Sequence, residues 1–199
     1  MPALAITGGV GCGKSEVFSL LSRQIPSTLF SADQANRSLL DTDPEVKNEI
    51  VSALGSSCYK IDGTADRKRI ADLLISIPSA RLALEEILHS RLKKIWKPLA
   101  DKSRAKPESF LIAEIPLIYE KKLQGYFDKI IVVACSERIR RERLFVSRGM
   151  SYIEFAHWIS IQYPLEQQVR MADHVLWNDG FIDSLHDQTA LLASILTSK

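Results

Sequence analysis

An α/β protein, with a parallel sheet between helices, is the fold class this sequence predicts, and three observations predict it. The first is a short apolar run, Ala3-Leu4-Ala5-Ile6, that leads through a glycine-rich loop into a helical pattern from Glu16 to Ser22. The second is the return of apolar runs of strand length at Ser27–Phe30, Phe110–Ile115, Lys129–Ala134 and His174–Trp177, each followed by turn or helix signals. The third is the stretch from about Asp41 to Arg104, which reads as nearly all helical and stands as an insertion in the strand–helix alternation.

The loop after the first run is Gly8-Gly9-Val10-Gly11-Cys12-Gly13-Lys14-Ser15, a match to G-x-x-x-x-G-K-[ST]. Glycines let backbone N–H groups turn inward and approach phosphate without a Cβ in the way. The helix N-terminus adds unsatisfied donors and the positive end of a dipole. In this pattern Lys14 reaches the β- and γ-phosphates, and the Ser15 hydroxyl ligates Mg²⁺. The alternative is a glycine-rich turn with a chance Lys-Ser pair, and the strand before it and helix after it weigh against that. A nucleoside triphosphate is the expected ligand.

Composition narrows the class. The 199 residues suit one domain with room for an inserted subdomain. A net charge of +2 gives no argument for nucleic acid as a partner. Cys12, Cys58 and Cys135 are odd in number and share no metal-ligand spacing, so a reducing, cytoplasmic setting is expected. No apolar run approaches the roughly 20 residues that span a bilayer. No basic segment precedes the first apolar run, so neither a membrane association nor a signal peptide is expected.

Taken in order, the second strand ends at Ser31-Ala32-Asp33 and a helix follows through Asn36–Leu40. Asp33 has two readings: a ligand-side carboxylate at the carboxyl end of a strand, or the N-cap of the next helix. In the helical stretch, one helix starts after Pro44 and stops near Gly55, Asp62-Gly63 is a turn, and another runs from about Asp66 to Ile75. A longer one begins near Pro78, with Leu84, Ile87, Leu88, Arg91, Ile95 and Leu99 along one stripe. Arg91 is out of place for core, so with His89 and Arg67 it is a candidate to meet an anionic ligand. A solvated edge with a snorkelling arginine is the other reading, and for His89 alone it is the favoured one.

Pro116 ends the third strand, and Ser136 caps the helix after the fourth. That helix carries Arg138, Arg140, Arg141 and Arg143, with Arg148 near Gly149. It is either a solvated face or the source of at least one phosphate clamp. Ser151-Tyr152-Ile153-Glu154 is a capping box opening a helix to about Gln162, and Pro164 interrupts before a piece from Glu166 to Ala172. Asn178-Asp179-Gly180 turns the chain into a closing helix from Ile182 to Leu196.

These residues together resemble the dephospho-CoA kinase family, over nearly the whole chain. The resemblance rests on Thr7–Ser15, Asp33, Asp62-Gly63-Thr64 with Arg67, Leu88-His89 with Arg91, Ile115-Pro116-Leu117-Ile118-Tyr119-Glu120, Arg143, Arg148-Gly149, Gln162, Pro164, Ala172-Asp173 and Asn178-Asp179-Gly180. It implies a P-loop kinase fold with a five-stranded parallel sheet between helices, in a single domain over 1–199. The core would take about 1–40 and 108–199, a helical CoA-binding region about 41–107, and a mobile lid about 138–170. It implies transfer of the ATP γ-phosphoryl group to the ribose 3′-hydroxyl of dephospho-CoA, the last step of CoA synthesis. Asp33, Lys14 and Arg143 would be catalytic. Gly9, Val10, Gly11, Cys12, Gly13, Lys14, Ser15 and Asn178 would hold the nucleotide, and Ser15 and Asp33 the Mg²⁺. Asp33, Arg67, His89, Arg91, Pro116, Leu117 and Glu120 would hold the acceptor. Four departures mark this chain: Ser90 for a usual proline, Glu16 for Thr or Ser, one extra residue within Leu144–Ser147, and Ser31 for the first carboxylate of Asp-Ala-Asp. The rival is another small-molecule P-loop kinase, acting on a nucleoside or a shikimate-like alcohol. A regulatory GTPase would need Asn-Lys-x-Asp and Asp-x-x-Gly segments, and neither is present.

Overall fold

The computed structural model describes residues 2–105 and 109–198, and for Ser147 and Arg148 the backbone alone. The expected boundary near 107 and the side chain of Arg148 therefore lie outside the described residues. Contacts divide the chain into two compact units, Met1–Ser31 with Lys97–Lys199, and Ala32–Trp96.

The first unit is built on β1 (Ala3–Gly8), β2 (Ser27–Ser31), β3 (Phe110–Glu114), β4 (Lys129–Ala134) and β5 (His174–Trp177). They form one five-stranded parallel sheet in the order β2-β3-β1-β4-β5. Alternating side chains explain one face: Leu4 and Ile6, Phe110 and Ile112, and Ile131 and Val133 point to the same side. There they meet Val17, Leu20 and Leu21 of α1 (Lys14–Gln24) and Leu185, Leu192 and Ala193 of α9 (Ile182–Thr197). The chain winds from central β1 to β2 and β3 on one side, then to β4 and β5 on the other. The carboxyl end of β1 is thus a switch point, where open sheets bind ligands.

The remaining helices of this unit are α6 (Glu137–Arg148), α7 (Tyr152–Ser160) and α8 (Leu165–Met171). Ser136 caps α6 through its hydroxyl, and both bonds of the capping box at Ser151 and Glu154 are present. The span 138–170, expected as a lid, is made of α6, α7 and most of α8.

The second unit holds α2 (Ala32–Thr42), α3 (Pro44–Leu54), α4 (Arg67–Ser76) and most of α5 (Pro78–Ala105). Its core is Leu40, Val46, Ile50, Cys58, Ala65, Ile70, Leu84 and Leu88. Asp62-Gly63 makes its turn, with Asp62 accepting from the Thr64 N–H and hydroxyl.

Two local expectations change. Helix α2 begins at Ala32, so Asp33 lies inside its first turn and is not its N-cap; the strand passes into the helix without a break. The stripe on α5 also drifts, because its buried line steps by four residues from Leu84 and Leu88 to Trp96 and Ala100, leaving Ile95 exposed. Among the described residues no helix is long and apolar enough to cross a membrane.

Candidate active site

The glycine loop leaves β1 at the switch point and enters α1 directly, with Gly13 as the N-cap. Gly13 has φ 93, and a Cβ there would sit 2.3 Å from the Asn178 side-chain nitrogen. Gly8 is as constrained, since its Cβ would lie 2.1 Å from the Val133 carbonyl oxygen of β4. Only glycine fits either place. Lys14 Nζ turns back over the loop and donates to the Gly8 and Gly9 carbonyls at 3.1 and 3.0 Å. The Lys14 ammonium is therefore held against the loop at the start of α1, the positive end of the helix dipole.

Other segments fasten this loop. Asn178, just past β5, is buried and donates through Nδ2 to the Cys12 carbonyl at 2.9 Å. The Val10 N–H donates to Gln162 Oε1 at 3.1 Å. The arginines of α6 sort by what they touch. Arg138 and Arg141 sit near Glu142 and Glu137 at 3.7 and 3.9 Å, and Arg141 also stacks over Phe145, Tyr152 and Phe155. Arg140 is only 7% exposed and donates Nε–H to the Val10 carbonyl at 3.0 Å. Arg143 donates from one terminal nitrogen to the Asn178 backbone and side-chain oxygens at 3.0 and 3.2 Å, while its other terminal nitrogen is buried with no partner. Among the described residues, neither Arg140 nor Arg143 pairs with a carboxylate. Two guanidinium groups without a carboxylate partner, beside a glycine loop and a helix start, suit a polyanion.

This sorting sets a test. Arg143→Ala is expected to lower kcat by about tenfold to a hundredfold, with stability changed by about 1 kcal/mol from the lost bonds to Asn178. Arg138→Ala is expected to be neutral in both kinetics and melting temperature. Equal behaviour of the two would reduce the helix to a solvated basic face.

Ser15 is the second residue of α1, and its hydroxyl donates to Glu114 Oε1 at 2.8 Å. Glu114 ends β3, is 4% exposed, and accepts at Oε2 from the Ser31 hydroxyl at 3.2 Å. A buried carboxylate is costly unless bonded, and these two hydroxyls meet that requirement. Sequence reasoning read Glu114 only as part of a strand. The available signal was a carboxylate closing a wholly apolar run, at the sheet end where ligands bind. Arg140 was likewise seen as one arginine among several, because a helix face is not visible until the loop is packed against it.

Past β3 the chain passes through Pro116 to Leu117, which has φ 60 without being glycine. Such a conformation costs of the order of 1–3 kcal/mol and is kept where the surroundings fix it. Here Lys121, Lys122 and Leu123 N–H groups close back onto Leu117, Tyr119 and Ile118. Glu120 accepts from the Tyr163 N–H, joining this segment to the end of the α7 region.

In the second unit, Asp33 is exposed in the first turn of α2. Arg67 pairs with Asp41, whose carboxyl is held below its usual range first by the Ala65 N–H and then by Arg67. Arg91 forks onto Glu49 at 2.7 and 3.2 Å, with Glu45 at 3.6 Å, and donates to the Ile87 carbonyl. The Glu49 bond raises the Arg91 pKa further, so it is a permanent cation. His89, two residues before Arg91 on α5, is partly buried.

Comparison with known proteins bears on the whole chain. A family model described as dephospho-CoA kinase matches residues 3–184. A dephospho-CoA kinase of Synechococcus sp. (strain CC9902) is 33% identical over 188 residues, covering 93% of this chain and 92% of that protein. The dephospho-CoA kinase of Aquifex aeolicus (strain VF5) is 31% identical over 201 residues, covering 99% and 98%. Among solved structures, TT1252 from Thermus thermophilus superposes with a TM-score of 0.74 at 27% identity, covering 98% of each chain. Because the match runs from the first core strand, through the phosphate loop and both units, into the closing helix, the chain belongs to the dephospho-CoA kinase family.

Proposed function

We infer that this chain transfers the γ-phosphoryl group of ATP to the ribose 3′-hydroxyl of dephospho-CoA, giving CoA and ADP in the last step of CoA synthesis. The observation that carries this reading is the near full-length family match, joined to a phosphate loop flanked by two arginines without carboxylate partners. The loop residues Gly9–Ser15 cradle the phosphates, with Lys14 on the β- and γ-phosphates. Asn178 holds the loop at Cys12 and places Arg143, whose unpartnered nitrogen meets phosphoryl charge when the 138–170 lid closes. Asp33 accepts the proton of the 3′-hydroxyl as its oxygen attacks phosphorus and ADP leaves. The helical region 41–107 takes the rest of the acceptor. Arg67, His89 and Arg91 supply positive or hydrogen-bonding groups for its phosphates, and Pro116, Leu117 and Glu120 form a fixed edge.

Mg²⁺ fits the donor set, because Ser15 Oγ and the Glu114 carboxylate place hard oxygen atoms together at the start of α1. Ser15 would hold it directly and Asp33 through water, with Glu114 orienting the Ser15 hydroxyl. When bound it neutralises phosphate charge. Three cysteines without a disulfide are consistent with work in the cytoplasm.

The test is ADP release with ATP and dephospho-CoA, with adenosine and shikimate as control acceptors. Strong stimulation by dephospho-CoA alone, and a product heavier by one phosphate, are expected. Equal stimulation by the controls would favour another small-molecule kinase of this fold.

A further inference from the structure

Two of the three thiols lie under the phosphate loop. Cys12 belongs to the loop, and its sulfur is 3.0 Å from where a Cβ on Gly9 would sit. Cys135 follows β4, whose Val133 is in register with Gly8, and its thiol points at the Gly11 carbonyl at 4.0 Å. Both are fully buried in the same apolar cluster. The Gly11 carbonyl leads directly into Cys12, so the two sulfurs are neighbours within this cluster, with Arg140 and Lys14 adding positive charge. The Cys135 side chain first, and then these charges, lower the Cys12 pKa against the cost of burial, and the Cys12 side chain pushes Cys135 upward. Cys12 is thus the more easily ionised sulfur of the two. Reactive pairs have this asymmetry. Neither thiol has a part in phosphoryl transfer.

We propose that Cys12 and Cys135 are a hydroperoxide-sensitive pair that closes as a disulfide beneath the phosphate loop and withdraws the loop from triphosphate. The Cys12 thiolate attacks one oxygen of hydrogen peroxide, the O–O bond breaks, and the leaving hydroxide takes a proton to become water. The resulting sulfenic acid is then attacked by the Cys135 sulfur. The S–S bond forms, the S–O bond breaks, and the departing hydroxide leaves with the Cys135 proton as a second water. Two thiols and one peroxide thus give one disulfide and two waters. The link draws Cys12 toward β4, and with it the backbone from Gly11 to Gly13, including the Cys12 N–H that donates to the Gly9 carbonyl. The Asn178 bond to the Cys12 carbonyl is strained in the same movement. Reduction by a dithiol reverses both.

The consequence for binding rests on the nucleotide reading of the loop, but the chemistry can be read without nucleotide. The full chain is treated with hydrogen peroxide, alkylated, digested and mapped by mass. A Cys12–Cys135 peptide pair lighter by two hydrogens is expected, with Cys58 alkylated as in the untreated protein. Cys58 is in the other unit, and burial pushes its thiol up. ATP affinity, measured by calorimetry, should fall by about tenfold or more in the oxidised chain and return with dithiothreitol. ATP present during treatment should slow the link. Cys135→Ala should bind ATP as the untreated protein does and yield no linked peptide. Alkylation of both thiols after peroxide, or Cys12 oxidised beyond sulfenic acid with no link, would overturn the pair. Failure of the reduced chain to bind ATP would instead overturn the nucleotide reading.

Discussion

Lys14→Met is expected to lower kcat by about 10²-fold or more while the fold survives. Phosphoryl transfer leaves little covalent work for a protein, so positioning and charge carry the rate. Negative charge shifts onto the γ-phosphoryl oxygens and the leaving group as the bond to phosphorus loosens. Lys14 is the one lysine built into the loop, and the Gly8 and Gly9 carbonyls hold its ammonium against that loop. Met keeps the length and apolar stem but has neither charge nor donor. The side chain is partly exposed, so loss of its two bonds should cost only about 1 kcal/mol of stability. Single-turnover measurements should show the loss in the chemical step, and thermal unfolding should show a nearly unchanged midpoint. Normal turnover would mean that the loop is not the phosphate site.

The legible part of this protein was the part written in local patterns. Five apolar runs of strand length, a glycine loop between the first strand and the first helix, and a helical insertion were enough to place β1 to β5 and the loop. Ser136 and the Ser151–Glu154 box marked their helix starts because a cap is a property of four neighbouring residues. What stayed hidden depended on packing between distant segments. Glu114 became a site residue only when β3 paired beside β1 and β2, bringing its carboxylate to the hydroxyls of Ser15 and Ser31. Arg140 and Arg143 parted from Arg138 and Arg141 only when α6 turned one side to the loop. The reading of Asp33 as an N-cap gives way for a local reason: β2 enters α2 with no intervening loop, so the helix starts two residues earlier than that cap would set it.

Asp33→Asn is expected to lower kcat by about 10²–10⁴-fold with little change in substrate affinity. A ribose hydroxyl has a pKa far above neutral and is a weak nucleophile at pH 7. A carboxylate within hydrogen-bond reach orients it and takes its proton as the bond to phosphorus forms. Ser31 stands where a second carboxylate is usual, so Asp33 has no neighbour in the Ser-Ala-Asp segment to take over. Its place inside the first turn of α2 makes the substitution cleaner than a cap replacement, since Asp33 is not the N-cap. Asn keeps the shape and an oxygen but loses the charge. What structure loses is the favourable meeting of a negative charge with the helix N-terminus, at about 0.3–1 kcal/mol. The kinetic loss should therefore exceed anything that stability can explain. Paired measurements of turnover and thermal midpoint, with KM for dephospho-CoA, separate the two. A variant that unfolded more readily but turned over at the original rate would show that Asp33 serves the helix alone, and the proton would have to leave by another group.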